Sequence, residues 1–360
     1  MKSSIITIHH IHNFGSVFQG YALYKFLLNN GVYTEIIDYR PEYYNSGKNK
    51  FKTFVGRALN LKSYLTRAKK FEAFISRYDN LSEKPFLTVE QLREHYLTSD
   101  NVFVSGGDQL WNNYHPCGND PAYKLSFTSS KRKLAYGTSM GRDNFTEDEL
   151  STLASQVSDF SSIMLREQST VEMLKKHSVV PTEHVIDPVG LLDISEFQKI
   201  AIKPKIKEPY AVMYLADSSE LLDEAIRILG EELGLKIVHI CGFKKKCKCD
   251  YFVKDAGPEE ILGYILNADF VLSASFHATM FSLLANKQFA SLLPGEKTNA
   301  RIVDILSYVG LQDRVIHSTS ELSKLLSKID FSEANERIAA FKARSAELLL
   351  KNINELMRGI

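Results

Sequence analysis

The chain has 360 residues, with 44 Lys+Arg against 43 Asp+Glu, 44% hydrophobic and 24% charged residues. This is the balance of a folded globular protein with room for two domains, and it excludes a low-complexity or strongly polyanion-seeking chain. The 4 cysteines exclude a disulfide framework, and no apolar run reaches the roughly 18 residues of a membrane helix. The opening "MKSSIITIHH" reads as a strand and not as a leader, so a cytoplasmic location is expected.

The first strand, "SSIITIH", leads through "HIHNFG" into a helix from about Ser16 to Asn30, closed by Gly31. "YTEIIDY" reads as the second strand. "NVFVSGG" and "KLAYGTS" follow as strands ending in small residues, and "SSIMLREQSTVEMLKKH" and "EHVIDPVGLLD" complete a first half. Strands alternating with helices predict a parallel, doubly wound sheet. The polar stretch "IAIKPKIKEP", residues 200–209, marks a domain boundary. Behind it the alternation restarts with "YAVMYLA", a helix over 219–233 stopped by Gly234, "KIVHICGF" and a helix opened by Pro258. "DFVLSAS", "HATMFSLLANK" and "FASLLP" continue it. Ile338, Phe341, Leu348, Leu349, Ile353 and Leu356 share one face of a last helix over 332–358, expected to pack back. The expected fold is α/β, with two Rossmann-like domains over 1–200 and 208–330, a cleft between them, and a long C-terminal helix within 331–360. Ligands of such sheets sit beyond the carboxyl ends of the strands.

The stretch "IHHIHNFGSVFQGYAL" places His9, His10 and His12 in the first strand-to-helix connection. Adjacent strand residues face opposite ways, and no H-E-x-x-H or carboxylate cluster accompanies them, so no metal site is expected. Ser16 and Gln19 have the S-x-x-Q spacing of a capping box. Gly15 removes a side chain at the turn, and the helix start is expected to offer free backbone N–H groups to an anion. Asn13 or His12 would then donate to that ligand; the alternative is packing at the end of the sheet. The glycines do not form G-x-G-x-x-G, so Asp38 after the second strand does not mark a dinucleotide site.

Six pieces in order resemble the polysaccharide pyruvyl transferase family. They are "HNFGSVFQGYALYKFLLNNG…EIIDYRP", "VFVSGGDQLWN", "LAYGTSMG", "MLREQST", "VIDPVGLL" and "ADFVLSASFHATMFSLLANKQF". The resemblance spans about residues 5–314 and implies a fold like that of two-domain GT-B glycosyltransferases. It also implies transfer of the enolpyruvyl unit of phosphoenolpyruvate to a sugar diol, giving a cyclic ketal, with phosphoenolpyruvate as co-substrate and no cofactor.

That donor carries a phosphate and a carboxylate, which call for cations or helix N-termini. The reaction needs an acid for the methylene carbon and a base for sugar hydroxyls, and a histidine near neutral pKa suits such proton steps. His277, just after "DFVLSAS", is the expected general acid or phosphate ligand; a capping or core histidine is the other reading. The resemblance makes Arg166 an anion ligand, against a surface pair with Glu167. Arg301 is expected near the phosphate, against a solvated helix residue. Asn13, Gly15 and Ser275 complete the expected donor set. Asp108, after Gly106 and Gly107, is a candidate base or a local cap. Gln19, Gln109, Trp111 and His12 are the expected acceptor-binding residues, with core packing the alternative for Trp111, and Asp187 with Pro188 reads as a turn. Some family members have Arg where this chain has Ser275, which leaves a different donor open.

Residues 48–77 carry Lys48, Lys50, Lys52, Arg57, Lys62, Arg67, Lys69, Lys70 and Arg77 with only Glu72 opposing. Phe51, Phe54, Val55, Leu59, Leu61, Tyr64, Leu65, Phe71, Phe74 and Ile75 interleave. This basic helical insert, assigned to the first domain, is expected either to rest on an anionic membrane carrying a lipid-diphosphate-linked acceptor or to be a solvated face. Nucleic acid is not an expected partner. "CGFKKKCKC", with Cys241, Cys247 and Cys249, fits no common zinc spacing and reads as a basic loop. Two other activities share the outline: a nucleotide-sugar glycosyltransferase, and a non-catalytic homologue that scaffolds polysaccharide assembly.

Overall fold

The computed structural model describes residues 2–44, 60–214, 219–240, 242, 244–293 and 299–359. Lys48, Lys50, Lys52 and Arg57 of the basic segment, its residues Phe51, Phe54, Val55 and Leu59, and Cys241 lie outside them. The chain forms two compact units. The first takes the described part of residues 1–48 with Ile75–Leu192 and Ala339–Ile360; the second takes the described part of 49–74 with Asp193–Ile338. The division thus falls at Leu192, ahead of the polar stretch 200–209, and the basic segment up to Phe74 groups with the second unit and not the first. Within that unit the Lys70 ammonium donates to both carboxylate oxygens of Glu260 at 2.7 and 2.8 Å.

The first unit holds β1 (Ser3–Ile6), β2 (Thr34–Ile36), β3 (Val102–Gly106), β4 (Lys133–Thr138), β5 (Ser162–Leu165) and β6 (Thr182–His184). They form one parallel sheet in the order β2-β1-β3-β4-β5-β6. The second holds β7 (Tyr210–Tyr214), β8 (Lys236–Ile240), β9 (Tyr251–Val253), β10 (Phe270–Ser273), β11 (Gln288–Leu292) and β12 (Val315–Ile316). Their parallel order is β12-β11-β10-β7-β8-β9. Central strands such as β3 and β10 are buried along their whole length, which is why they read as apolar runs without alternation.

The helices are α1 (Phe14–Asn29), α2 (Leu61–Tyr78), α3 (Val89–Tyr96), α4 (Pro116–Asn119), α5 (Glu147–Gln156) and α6 (Gln168–Lys175). They continue as α7 (Ile194–Gln198), α8 (Glu220–Arg227), α9 (Pro258–Asn267), α10 (Phe276–Leu284), α11 (Ala300–Tyr308) and α12 (Ser332–Arg358). The sequence reading left out α3 and α5, although Thr146 and Glu149 at the start of α5 form a capping box. On α12, Phe341, Leu349 and Ile353 are buried, each stabilising the fold by about 1.5–3 kcal/mol. Its Ser345 Oγ accepts a hydrogen bond from the Ile186 N–H at 2.9 Å, just beyond β6, so this part of the helix packs back on the first sheet. Among the described residues no helix is long and apolar enough to cross a membrane.

Candidate functional site

Each sheet reverses its strand order once, between β1 and β3 in the first unit and between β7 and β10 in the second. Such reversals open the crevices in which α/β sheets hold ligands. In the first unit, α1 starts at Phe14 with Asn13 as its N-cap. Asn13 Oδ1 accepts from the N–H of Gly15 at 2.9 Å and of Ser16 at 3.3 Å. The capping box expected of Ser16 and Gln19 does not form. Ser16 Oγ donates instead to Asp108 Oδ2 across the reversal. Gln19 is fully buried, and its Nε2 donates to Thr7 Oγ1 at 2.7 Å and to the Ser16 carbonyl at 2.9 Å. The amides of Gly15 and Ser16, expected to meet an anion, are therefore satisfied by Asn13. His9 is buried against Asp38 at 2.9 Å, and Arg40 donates to the same carboxylate oxygen at 2.6 Å. Burial pushes the Asp38 carboxyl up, but the bonds from His9 and Arg40 outweigh it and hold it at about 2. His12 is partly buried in the connecting loop.

Gly106 and Gly107 let β3 end against α1. A Cβ on Gly106 would lie 2.5 Å from Leu23 Cδ2, and one on Gly107 would lie 1.5 Å from Gln19 Oε1. Gly107 has φ +66 and Asp108 follows at φ +51, a left-handed conformation that costs a non-glycine residue about 1–3 kcal/mol. Asp108 is buried, accepts from the Gln109 N–H at 2.8 Å, and lies 4.0 Å from Arg166 Nη2. Arg166 follows β5 and is buried. It donates Nη1 to Asp187 at 2.5 Å and Nε to Glu167 at 3.2 Å. Burial disfavours the guanidinium charge, but Asp187, Glu167 and Asp108 more than offset this and raise its pKa. The guanidinium lies among three carboxyl groups, so the expected pair with Glu167 is present, but it is buried and not at the surface. Asp187 still makes its turn, accepting from the Val189 N–H at 3.0 Å.

Two expected acceptor residues turn inward. Trp111 is 2% exposed, donates its indole N–H to the Tyr123 carbonyl at 3.0 Å and packs edge-on against Phe160, as the core-packing alternative expects. Gln109 accepts from Asn112 at 2.8 Å and ties its own loop together.

The second reversal is arranged differently. Ser273 Oγ, at the end of β10, donates to the Tyr214 carbonyl of β7 at 3.0 Å and accepts from the Ser275 N–H at 2.8 Å. Ser275 occupies the N-cap of α10, yet its side chain makes no capping bond. The first turn of α10 holds Phe276 and His277, both buried. Arg301, near the start of α11, lies over the Phe276 ring at 5.8 Å and donates Nε to Asn299 at 3.0 Å. An open helix N-terminus, a histidine in its first turn and a neighbouring guanidinium make an arrangement suited to an anion. Ser275, His277 and Arg301 thus come together in one unit, whereas Asn13, Gly15, Gln19, Asp108, Gln109, Trp111 and Arg166 belong to the other. Among the described residues no group of three or more His, Cys, Asp or Glu could hold a metal ion, and Cys247 is buried with its thiol pushed up to about 11.

Two parallel six-stranded sheets with flanking helices define a GT-B-like α/β protein. A putative UDP-N-acetylglucosamine 2-epimerase from Listeria monocytogenes is similar over 100% of this chain and 98% of its own, at 10% identity and a TM-score of 0.57. The UDP-N-acetylglucosamine 2-epimerase from Rickettsia bellii is similar over 99% and 98%, at 11% identity and 0.54. The glycotransferase of kitacinnamycin is similar over 98% and 99%, at 10% identity and 0.53. At such identities these likenesses show the fold alone. No curated protein matches the chain. The pattern of the polysaccharide pyruvyl transferase family matches residues 13–295, and the chain belongs to that family.

Proposed function

We propose that the protein transfers the pyruvyl unit of phosphoenolpyruvate to two hydroxyls of one sugar in a surface-polysaccharide precursor, releasing inorganic phosphate. Family membership supports the group transferred, and the open N-terminus of α10 with His277 and Arg301 is the observation that carries the donor. The helix end and Arg301 receive the phosphate and carboxylate, in place of the cation that Ser275 does not supply. His277 delivers a proton to the methylene carbon, and the first hydroxyl adds to the neighbouring carbon as it gives up its proton to a general base, the role for which Asp108 is the candidate from the sequence. Phosphate then leaves with the C–O bond electrons. The second hydroxyl adds to the resulting cation and loses its proton, which ends on phosphate. Both hydroxyl oxygens stay in the ketal, so no water and no cofactor enter the balance.

On α2, Leu61, Lys62, Leu65 and Lys69 are exposed, which supports peripheral contact with an anionic membrane carrying a lipid-diphosphate-linked acceptor. Sedimentation with phosphatidylglycerol vesicles at low salt tests this, and indifference to them removes the membrane. The activity itself is tested by incubating the protein with phosphoenolpyruvate and a saccharide acceptor while following phosphorus and carbon resonances. Inorganic phosphate appearing together with a new ketal methyl is the expected result. Consumption of a nucleotide sugar with phosphoenolpyruvate untouched would replace pyruvyl transfer by glycosyl transfer.

A further inference from the structure

On the carboxyl side of the first sheet lies a cavity of 260 Å³ that the donor chemistry does not use. It is walled by the loop after β3, the loop after β4 and helix α5, through Asn113, Asn119, Phe145, Asp148, Thr152 and Gln156. The loop after β3 also carries Asp108, so the cavity belongs to the same end of the sheet as the candidate base.

The wall is rigidly built. Buried Arg142 stacks on Phe145 at 3.8 Å and on Tyr114 at 4.2 Å from the ring centroids. Its Nη2 donates to Asn113 Oδ1 and to Glu149 Oε1, each at 2.6 Å. Asn113 Nδ2 donates to Glu149 Oε1 at 2.7 Å, and the Thr146 N–H donates to Glu149 Oε2 at 2.8 Å. The Thr146 N–H, Asn113 and Arg142 hold the Glu149 carboxyl down at about 2, so its charge cancels that of Arg142. Against this frame, the side chains of Asp148, Thr152 and Gln156 make no hydrogen bond within the protein among the described residues. Tyr114, which packs on Arg142, is 68% exposed, and the Phe145 ring lines the cavity.

The chemistry selects the ligand. No Lys or Arg lines the cavity, Glu149 is neutralised by Arg142, and Asp148 is left as its uncompensated charge, which disfavours an anion. An aromatic face next to a carboxylate, a hydroxyl and amides suits a polyol, whose C–H face packs on the ring while its hydroxyls take the hydrogen bonds. The volume lies below the about 300–1,000 Å³ of pockets for larger ligands, so it fits a single ring and not a nucleotide. We infer that this cavity is a subsite for one neutral sugar of the acceptor other than the sugar that reacts. This rests on the acceptor being a saccharide, as proposed above.

The test uses the full chain and an immobilised panel of neutral di- to hexasaccharides of hexoses and N-acetylhexosamines, with matched sialylated and phosphorylated glycans. Asp148, Thr152 and Gln156 are exposed, so Asp148→Asn, Gln156→Ala and the cavity-filling Thr152→Trp are expected to fold, which circular dichroism checks. The expected result is retention of neutral glycans by the wild type, weakened about tenfold by Thr152→Trp and by Gln156→Ala, the size of one or two lost hydrogen bonds. Phosphoenolpyruvate binding, followed separately by calorimetry, stays unchanged in these variants. Equal glycan retention by Thr152→Trp, retention of the anionic glycans alone, or no retention of the neutral panel would each overturn the subsite. Cavity-dependent glycan retention by a wild type that ignores phosphoenolpyruvate would keep the subsite and remove the pyruvyl reading instead.

Discussion

The two sheet reversals carry similar residue types and use them in opposite ways. At the first, Asn13 caps α1, Ser16 is tied to Asp108, and Arg166 is shared among Asp108, Glu167 and Asp187. At the second, the side chain of Ser275 leaves α10 uncapped, with His277 in the first turn and Arg301 beside it. A donor group already satisfied inside the protein has little left to give a ligand, whereas an uncapped helix end gains from one. The difference is why donor recognition is proposed at the second reversal, while the charges of the first surround Asp108, whose backbone is left-handed.

Arg166→Ala gives the largest expected effect on the fold. It strands three buried carboxyl groups and should lower stability by about 3–5 kcal/mol in urea unfolding. Phosphoenolpyruvate affinity of the protein that remains folded should not change. A large loss of affinity with stability intact would break the comparison and return Arg166 to the role that the family resemblance implies. His277→Ala should lower turnover about 100-fold or more, as loss of a general acid does, with the melting profile as a control. Normal turnover would make His277 a packing residue and leave the second reversal without its chemistry.

These residues also show what the sequence makes legible. The α12 boundaries at 332–358 follow from apolar spacing along one helix, and the strand, turn and helix around His277 follow from a short apolar run ending in serines. Local patterns of this kind are written in neighbouring residues. The partners of Arg166 are not, because Asp187 lies 21 residues away and Asp108 reaches it only through the pairing of β3, β4 and β5. The partner of Trp111 is hidden for the same reason: the Tyr123 carbonyl that takes its N–H lies 12 residues on. Arg142 and its stack on Tyr114 and Phe145 carried no signal beyond the capping box that starts α5 next to them.

Smaller effects sharpen the contrast further. Arg301→Ala should weaken phosphoenolpyruvate binding about tenfold, or about 1.4 kcal/mol, with stability nearly unchanged because the side chain is only partly buried. Asn13→Ala should do the reverse. Loss of the α1 cap should cost about 1 kcal/mol in chemical denaturation and leave donor binding alone. If Asn13→Ala weakened the donor while Arg301→Ala did not, the roles of the two reversals would have to be exchanged.

The most direct measurement is calorimetric titration of the wild type, Arg301→Ala and Arg166→Ala with phosphoenolpyruvate and then with a set of nucleotide sugars. The account predicts saturable phosphoenolpyruvate binding that weakens in Arg301→Ala, persists in folded Arg166→Ala, and has no nucleotide counterpart. Nucleotide-sugar binding without phosphoenolpyruvate binding would contradict it.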